Sequence, residues 1–418
     1  MSAYRNTGIN TEGAAALYDS AAENKQEQGL SHFDRAAAGS RVDWVLIAVV
    51  VVLAAFGMVM LYSASAYTAQ VEYGDSAYYV KNQLRSLAIG VAAAVICAFI
   101  PMTFWRKISG IAFGISLIAV LLTLTPLGVE SGGAVRWLNL GFFTMQPSEL
   151  VKVGLILALA ALLCRCYKHL NKIPVYLVLL AVTGIAAGIV AIVNDDLGTA
   201  IVILAIGFIM LFITCSRLSY IVCTLAALAA AVAILIAVKP YRLERIYAWL
   251  DPAAYASDES YQIVQALYAI GSGGLMGKGL GKSTQKLIVP ESQSDMIFSI
   301  ICEELGILGA CFLLILFGVL FWRLWKIYSN TDDMFPKMVT AGILAHIGVQ
   351  TILNLAVVTG LLPNTGVPLP FISYGGSSII VLMAEMGIVT SVCRSNYKNA
   401  FRKTKKVRED KSKGVIYV

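Results

Sequence analysis

Trp44-Val-Leu-Ile-Ala-Val-Val-Val-Val-Leu-Ala-Ala-Phe-Gly-Met-Val-Met-Leu61 carries no charged residue. A hydrocarbon core about 30 Å thick is crossed by roughly 20 helical residues, so this run predicts a transmembrane helix. Similar stretches recur along the chain, and ten spans are expected at 44–65, 84–101, 103–126, 148–164, 174–193, 199–214, 218–238, 294–322, 338–361 and 370–393. A composition of 58% hydrophobic and 14% charged residues over 418 residues places the chain outside the soluble globular class. The expected fold is an all-α polytopic membrane protein, because lipid offers backbone N–H and C=O groups no partner and a helix satisfies them internally.

Basic residues orient the spans, since Lys and Arg are held back on the cytoplasmic side during insertion. With the N-terminus inside, 22 of the 32 Lys and Arg fall in inside segments, 9 in outside loops, and Lys152 within a span. Both termini are therefore expected in the cytoplasm, and the large loop between spans 7 and 8 outside. Residues 1–43 read as a disordered cytoplasmic tail, 44–393 as a ten-helix membrane domain with its long loop at 239–293, and 394–418 as a basic cytoplasmic tail suited to anionic lipid headgroups. The eight cysteines lie in or near spans; the closest pair, Cys164 and Cys166, has no further Cys or His at ligand spacing, so no metal site is expected there. His346 reads as a packed or hydrogen-bonded residue.

The outside loops carry the chemistry. Gln146-Pro-Ser-Glu149 suits a helix start, Pro being tolerated in the first turn, and Glu149 and Lys152 then share a face of the fourth span. They either neutralise each other on entering lipid or serve a cavity, as charged residues at membrane depth usually do. In Asn194-Asp-Asp-Leu-Gly-Thr199, one carboxylate can cap the sixth span and a second is left over. Tyr261–Ile270 has a helical apolar pattern. The stretch Gly271-Ser-Gly-Gly-Leu-Met-Gly-Lys-Gly-Leu-Gly-Lys-Ser-Thr284 fails as a phosphate loop, because Met276 and Lys282 stand where glycines are needed; its glycines suit tight turns and close backbone approach to a ligand. Asp295 is expected about a turn inside the eighth span, with Glu303 and Glu304 deeper and all three facing a polar cavity; a carboxylate so placed is a candidate general base.

Arg136-Trp137, Gln146-Pro-Ser-Glu149 with Lys152, Asp196-Leu-Gly-Thr199, Pro240-Tyr-Arg242, Gly279-Leu-Gly281 with Gln285-Lys286, Pro290-Glu291 with Asp295, Glu303-Glu-Leu-Gly306 and Pro370-Phe-Ile-Ser-Tyr-Gly-Gly-Ser-Ser378 together resemble the SEDS family, in its FtsW and SpoVE branch more than RodA. The resemblance covers Trp44 to Arg394; Asn194-Asp195 stands where the family usually has Gln-Pro, and Met296 where it has Phe. It implies a multi-pass protein of the bacterial cytoplasmic membrane, a peptidoglycan glycosyltransferase that polymerises lipid II at the outer face during division or sporulation. By motif, Asp295 maps onto the family's essential loop aspartate and becomes the expected catalytic base. Arg136, Lys152, Arg242, Arg245 and Lys286 are candidates to stabilise the leaving pyrophosphate, with or without a divalent cation such as Mg or Mn. Glu149, Asp196, Glu291, Glu303 and Ser373 complete the expected cavity set. Implied partners are lipid II, a class B penicillin-binding protein and other divisome proteins, with no nucleic acid. A lipid II flippase is the alternative, and a recruiting scaffold a third.

Overall fold

The computed structural model describes residues 42–412 apart from 132, 140, 142–143, 171, 216 and 252–260. The N-terminal tail up to 41 and the end of the C-terminal tail, 413–418, lie outside the described residues. Residues 43–392 form one compact unit. Ten helices among the described residues are long and apolar enough to cross a membrane: α1 (Trp44–Tyr73), α2 (Tyr78–Phe99), α3 (Met102–Leu121), α4 (Pro147–Cys166), α5 (Ile173–Val193), α6 (Leu197–Thr214), α7 (Leu218–Ala237), α10 (Ile297–Ser329), α11 (Met334–Val358) and α12 (Gly376–Ser412). Two shorter helices, α8 (Pro240–Leu250) and α9 (Tyr261–Gly273), lie in the long loop, and a three-stranded antiparallel sheet precedes α4: β1 (Gly128–Ser131), β2 (Ala134–Asn139) and β3 (Thr144–Met145).

Close helix packing follows from small residues. A Cβ on Gly154 of α4 would lie 2.8 Å from Ser116 Oγ of α3, and one on Gly342 of α11 would lie 2.6 Å from Ile156 of α4 and 3.0 Å from Met210 of α6. Helices α4, α6 and α11 pack on one another at the centre. Of α7, only Thr224 is buried, which leaves an apolar surface suited to lipid.

Three departures from expectation bear on function. Asp295 does not sit inside α10: the helix begins at Ile297, and the preceding chain turns on Glu291, whose φ is 54°. The tenth span does not begin at 370; Pro370 has no N–H to give a helix and Phe371 has φ 65°, so residues 370–375 form a non-helical strap and the helix starts at Gly376. Gly57 admits that strap, since a Cβ there would meet Phe371 O at 2.6 Å. Finally, α10 is broken at Gly306 (φ 65°, ψ −163°), a conformation essentially confined to glycine. Backbone of the glycine-rich loop repairs the break: Lys278 and Gly279 N–H donate to the carbonyls of Glu303 and Glu304 (both 2.9 Å), and Ile307 N–H donates to Gly274 O (3.0 Å).

Candidate active site

A cavity of about 360 Å³ opens between β2, the start of α6, α8, α9, the turn before α10 and residues 363–366. Asp295 lines it and is 7% exposed. Its Oδ1 lies 3.5 Å from Gln262 Nε2 of α9, while Gln262 also donates to Pro290 O (3.1 Å) and accepts from Asn364 Nδ2 (2.6 Å), clamping three edges of the cavity together. Burial pushes the Asp295 carboxyl up to about 7; the Glu291 carboxylate adds to this and Arg245 opposes it.

The opposite wall is the turn before α6. Asp196 caps that helix, accepting from Thr199 N–H (2.9 Å) and Thr199 Oγ1 (2.8 Å), and it also accepts from Gln146 Nε2 (3.2 Å). The second carboxylate, Asp195, turns the other way with φ 49° and accepts from Arg242 Nη2 (2.5 Å) and Tyr241 OH (3.0 Å). Burial alone would raise Asp195, but the Tyr241 and Arg242 hydrogen bonds and the charges of Arg242 and Lys239 hold it below the ordinary carboxylate range. Arg242 further donates to Leu235 O (2.6 Å) and Ala191 O (3.2 Å), and Arg136 donates to Asn194 O (3.2 Å) and Asp195 O (2.8 Å). Arg245, with its guanidinium 5.8 Å from the Tyr241 ring centroid, donates to Asn364 O at 3.4 Å. Arg136, Arg242 and Arg245 thus line one side of the cavity, with Asp195 paired to Arg242 and Asp196 capping α6 among them, and Asp295 and Glu291 line it as well.

Six expected cavity residues lie elsewhere: Glu303, Glu304, Lys286, Glu149, Lys152 and Ser373, the last held in the strap with its hydroxyl donating to Ser294 O (2.6 Å). Glu303 is fully buried and does not face open space: its carboxylate accepts from Lys278 Nζ (2.6 Å), Thr284 N–H (3.2 Å), Thr284 Oγ1 (3.0 Å) and Gln285 N–H (3.2 Å), and from the Ser283 hydroxyl. Glu304 beside it accepts from Ser63 Oγ (2.5 Å) and Gly281 N–H (3.0 Å). The glycine-rich loop is thus an anion cradle whose anions are the chain's own glutamates, which is why it resembles a phosphate loop without its spacing. Lys286 belongs to this cradle, donating to Ser63 O (3.1 Å) and Gly281 O (2.8 Å) with Glu304 at 3.6 Å. Glu149 and Lys152 pair at 2.8 Å, both buried, and Lys152 also donates to Gln350 Oε1 (3.0 Å). Neither lines the cavity.

The FtsW/RodA/SpoVE family model, described as "Cell cycle protein", matches residues 43–398. The chain belongs to this family. It is 36% identical over 355 residues to the stage V sporulation protein E of Bacillus subtilis, covering 84% of this chain and 97% of that protein. It is likewise 36% identical to the probable peptidoglycan glycosyltransferase FtsW of Trichlorobacter lovleyi, covering 84% and 92%. Among solved structures, one from a peptidoglycan synthase complex that coordinates polymerization and crosslinking superposes with a TM-score of 0.72 at 29% identity, covering 85% of this chain and 99% of that one. The rod shape determining protein RodA of Thermus thermophilus superposes at 0.65 with 28% identity, covering 85% and 98%. The FtsW/RodA/SpoVE architecture of this chain is that of a multi-pass membrane protein.

Sequence reasoning missed several polar residues that organise this FtsW/RodA/SpoVE site. Gln262 is neutral and lies in a segment without a recognised motif, and Tyr241, although inside Pro240-Tyr-Arg242, is neutral and was given no role of its own. On α11, Gln350 and Asn354 were missed as well; they recur every fourth residue with His346, which was read from the sequence as hydrogen-bonded and whose Nδ1 meets Glu385 at 2.9 Å, and all three are buried. Their four-residue spacing within an apolar span was the available signal.

Proposed function

We propose that this chain is a peptidoglycan glycosyltransferase that polymerises lipid II at the outer face of the bacterial cytoplasmic membrane. What supports this most is a buried carboxyl, Asp295, facing three arginines across one cavity. In the reaction, the 4-hydroxyl oxygen of an acceptor sugar bonds to the anomeric carbon of the donor as the bond from that carbon to pyrophosphate breaks. Asp295 takes the hydroxyl proton, a task suited to a group poised near 7. The departing undecaprenyl pyrophosphate carries the negative charge to the arginine wall. Arg245 is the cation whose field reaches Asp295, Arg136, held by the Asn194 and Asp195 carbonyls, adds preorganised positive charge, and Arg242, paired with Asp195, orders the wall. Lys152 and Lys286, committed to buried partners, are placed less well for this role. Glu291 at the cavity edge keeps Asp295 raised, Asp196 holds the wall, and Ser373 supports the segment before Asp295.

Among the described residues no three His, Cys, Asp or Glu side chains come together as a ready-made cation site, so a Mg or Mn ion would need the pyrophosphate oxygens among its ligands. The partner is a class B penicillin-binding protein, consistent with a structural neighbour from a complex that couples polymerization to crosslinking; further divisome proteins join it when the chain acts in division. Purified protein with its partner, supplied with lipid II in detergent, should yield glycan strands. Failure to polymerise, together with movement of lipid II across reconstituted vesicles that survives Asp295→Asn, would replace this proposal with the flippase.

A further inference from the structure

Three consecutive carbonyls lead into α10, and each is held by a group outside that helix. Gln293 O accepts from Tyr374 N–H (2.9 Å), Ser294 O from Ser373 Oγ (2.6 Å) and Asp295 O from Asn354 Nδ2 (2.7 Å). Asn354 is 1% exposed, and its amide also donates to Val367 O (2.8 Å), so one side chain joins Asp295 to the strap leading to α12. One turn earlier on α11, Gln350 Nε2 donates to Pro368 O (3.0 Å), while its Oε1 accepts from Lys152 Nζ (3.0 Å) and His346 Nε2 (2.9 Å). Ser373 Oγ accepts from Leu369 N–H (2.8 Å), and Gln83 of α2 holds the strap's far end through Ser373 O (3.3 Å) and Gly375 N–H (3.2 Å).

We infer that Asn354 is a positioning residue for the glycosyl-transfer base, fixing Asp295 through its backbone carbonyl, with Ser373 doing the same one residue earlier. The inference rests on Asp295 being that base. The Asp295 carboxylate is held chiefly by N–H groups of its own turn, those of Asp295 and Met296, with only a long contact to another side chain, Gln262 at 3.5 Å. Its carboxyl is therefore aimed by the backbone to which it is attached, and that backbone is aimed by Asn354 and Ser373. A base displaced by about 1 Å from its proton loses up to ~100-fold in rate, which sets the scale of the effect. Two charges act on Asp295, Glu291 from its own turn and Arg245 from α8; Arg136, Asp195, Asp196 and Arg242 line the same cavity.

The test compares wild type, Asn354→Leu, Asn354→Gln, Ser373→Ala and Asp295→Asn as full-length protein bound to its penicillin-binding partner, polymerising lipid II across a pH series. Asn354→Leu should lower kcat by about 30- to 100-fold with KM for lipid II changed less than about threefold. Its acid-limb midpoint should fall from near 7 toward the ordinary carboxyl range, because a loosened segment lets water reach Asp295. Asn354→Gln, which keeps the amide, should recover much of the loss. Ser373→Ala should move kcat and midpoint in the same direction by a smaller amount, and it decides the matter if Asn354→Leu fails to fold. The inference is overturned if the folded variants polymerise like wild type, or if their loss only scales the profile without moving its midpoint. With Asp295→Asn inactive, those results remove the positioning role alone; an active Asp295→Asn removes the base and the positioning role together.

Discussion

Asp295 is burdened by burial and by Glu291, and a base works only when ionised. Below about pH 7 each unit of acidification removes about nine-tenths of the ionised form, so kcat/KM should fall about tenfold per unit there and level off above. Polymerisation rates between about pH 5.5 and 8.5 check this, and a flat profile across that range rules out a base with this titration. Arg242 is the residue on which the opposite wall turns, since it reaches Asp195, Tyr241, Leu235 and Ala191 at once. Lysine cannot reproduce that fork. Arg242→Lys should cost about 2 kcal/mol of stability and lower polymerisation, measurable as an earlier thermal transition in detergent. Asp195, held below its ordinary range, contributes stability that is present above its unfolded value and lost as pH falls through its lower folded value. That acid-linked loss should shrink in Arg242→Lys.

The break in α10 is the feature of an element that a span predictor cannot see. Glu303-Glu-Leu-Gly306 reads as continuous helix, yet Gly306 takes a backbone conformation closed to other residues, and a Cβ there would lie 2.5 Å from Leu275 O. Gly306→Ala should therefore destabilise the protein by about 3 kcal/mol or more and loosen the 277–286 loop, seen as a lower melting temperature and faster proteolysis. An unchanged melting temperature and proteolysis rate would contradict the interlock. The long spans were legible because uncharged runs of this length have few alternatives. Asp295, Asp196, Arg136 and Arg242 were legible because motifs mark them, and Arg245 as a further cation of the same loop. The sheet at 128–145 and helix α8 were not, being short elements whose form depends on tertiary partners such as Asp195. Glu303 and Lys286 were misplaced because burial of a carboxylate announces a polar surrounding without saying whether it is an open cavity or the chain's own loop. Asn354 and Gln350 were passed over because neutral amides within an apolar span carry no charge to draw attention.

At the scale of the whole molecule, the distribution of Lys and Arg predicts the long loop outside and the α10–α11 connection inside. In intact cells a membrane-impermeant maleimide should label Lys282→Cys, and should label Asn330→Cys only after permeabilisation; the reverse pattern overturns the orientation and with it an outer-face reaction. On the proposed reading, a cavity open to the outer face, with Asp295 as its buried base and arginines opposite, makes a polymerase whose chemistry depends on one carboxyl. The decisive comparison is glycan-strand formation from lipid II by the purified protein with its penicillin-binding partner, wild type against Asp295→Asn. Strands from wild type and none from a folded, partner-bound Asp295→Asn are expected, whereas undiminished strands from that variant would show that Asp295 is not the base.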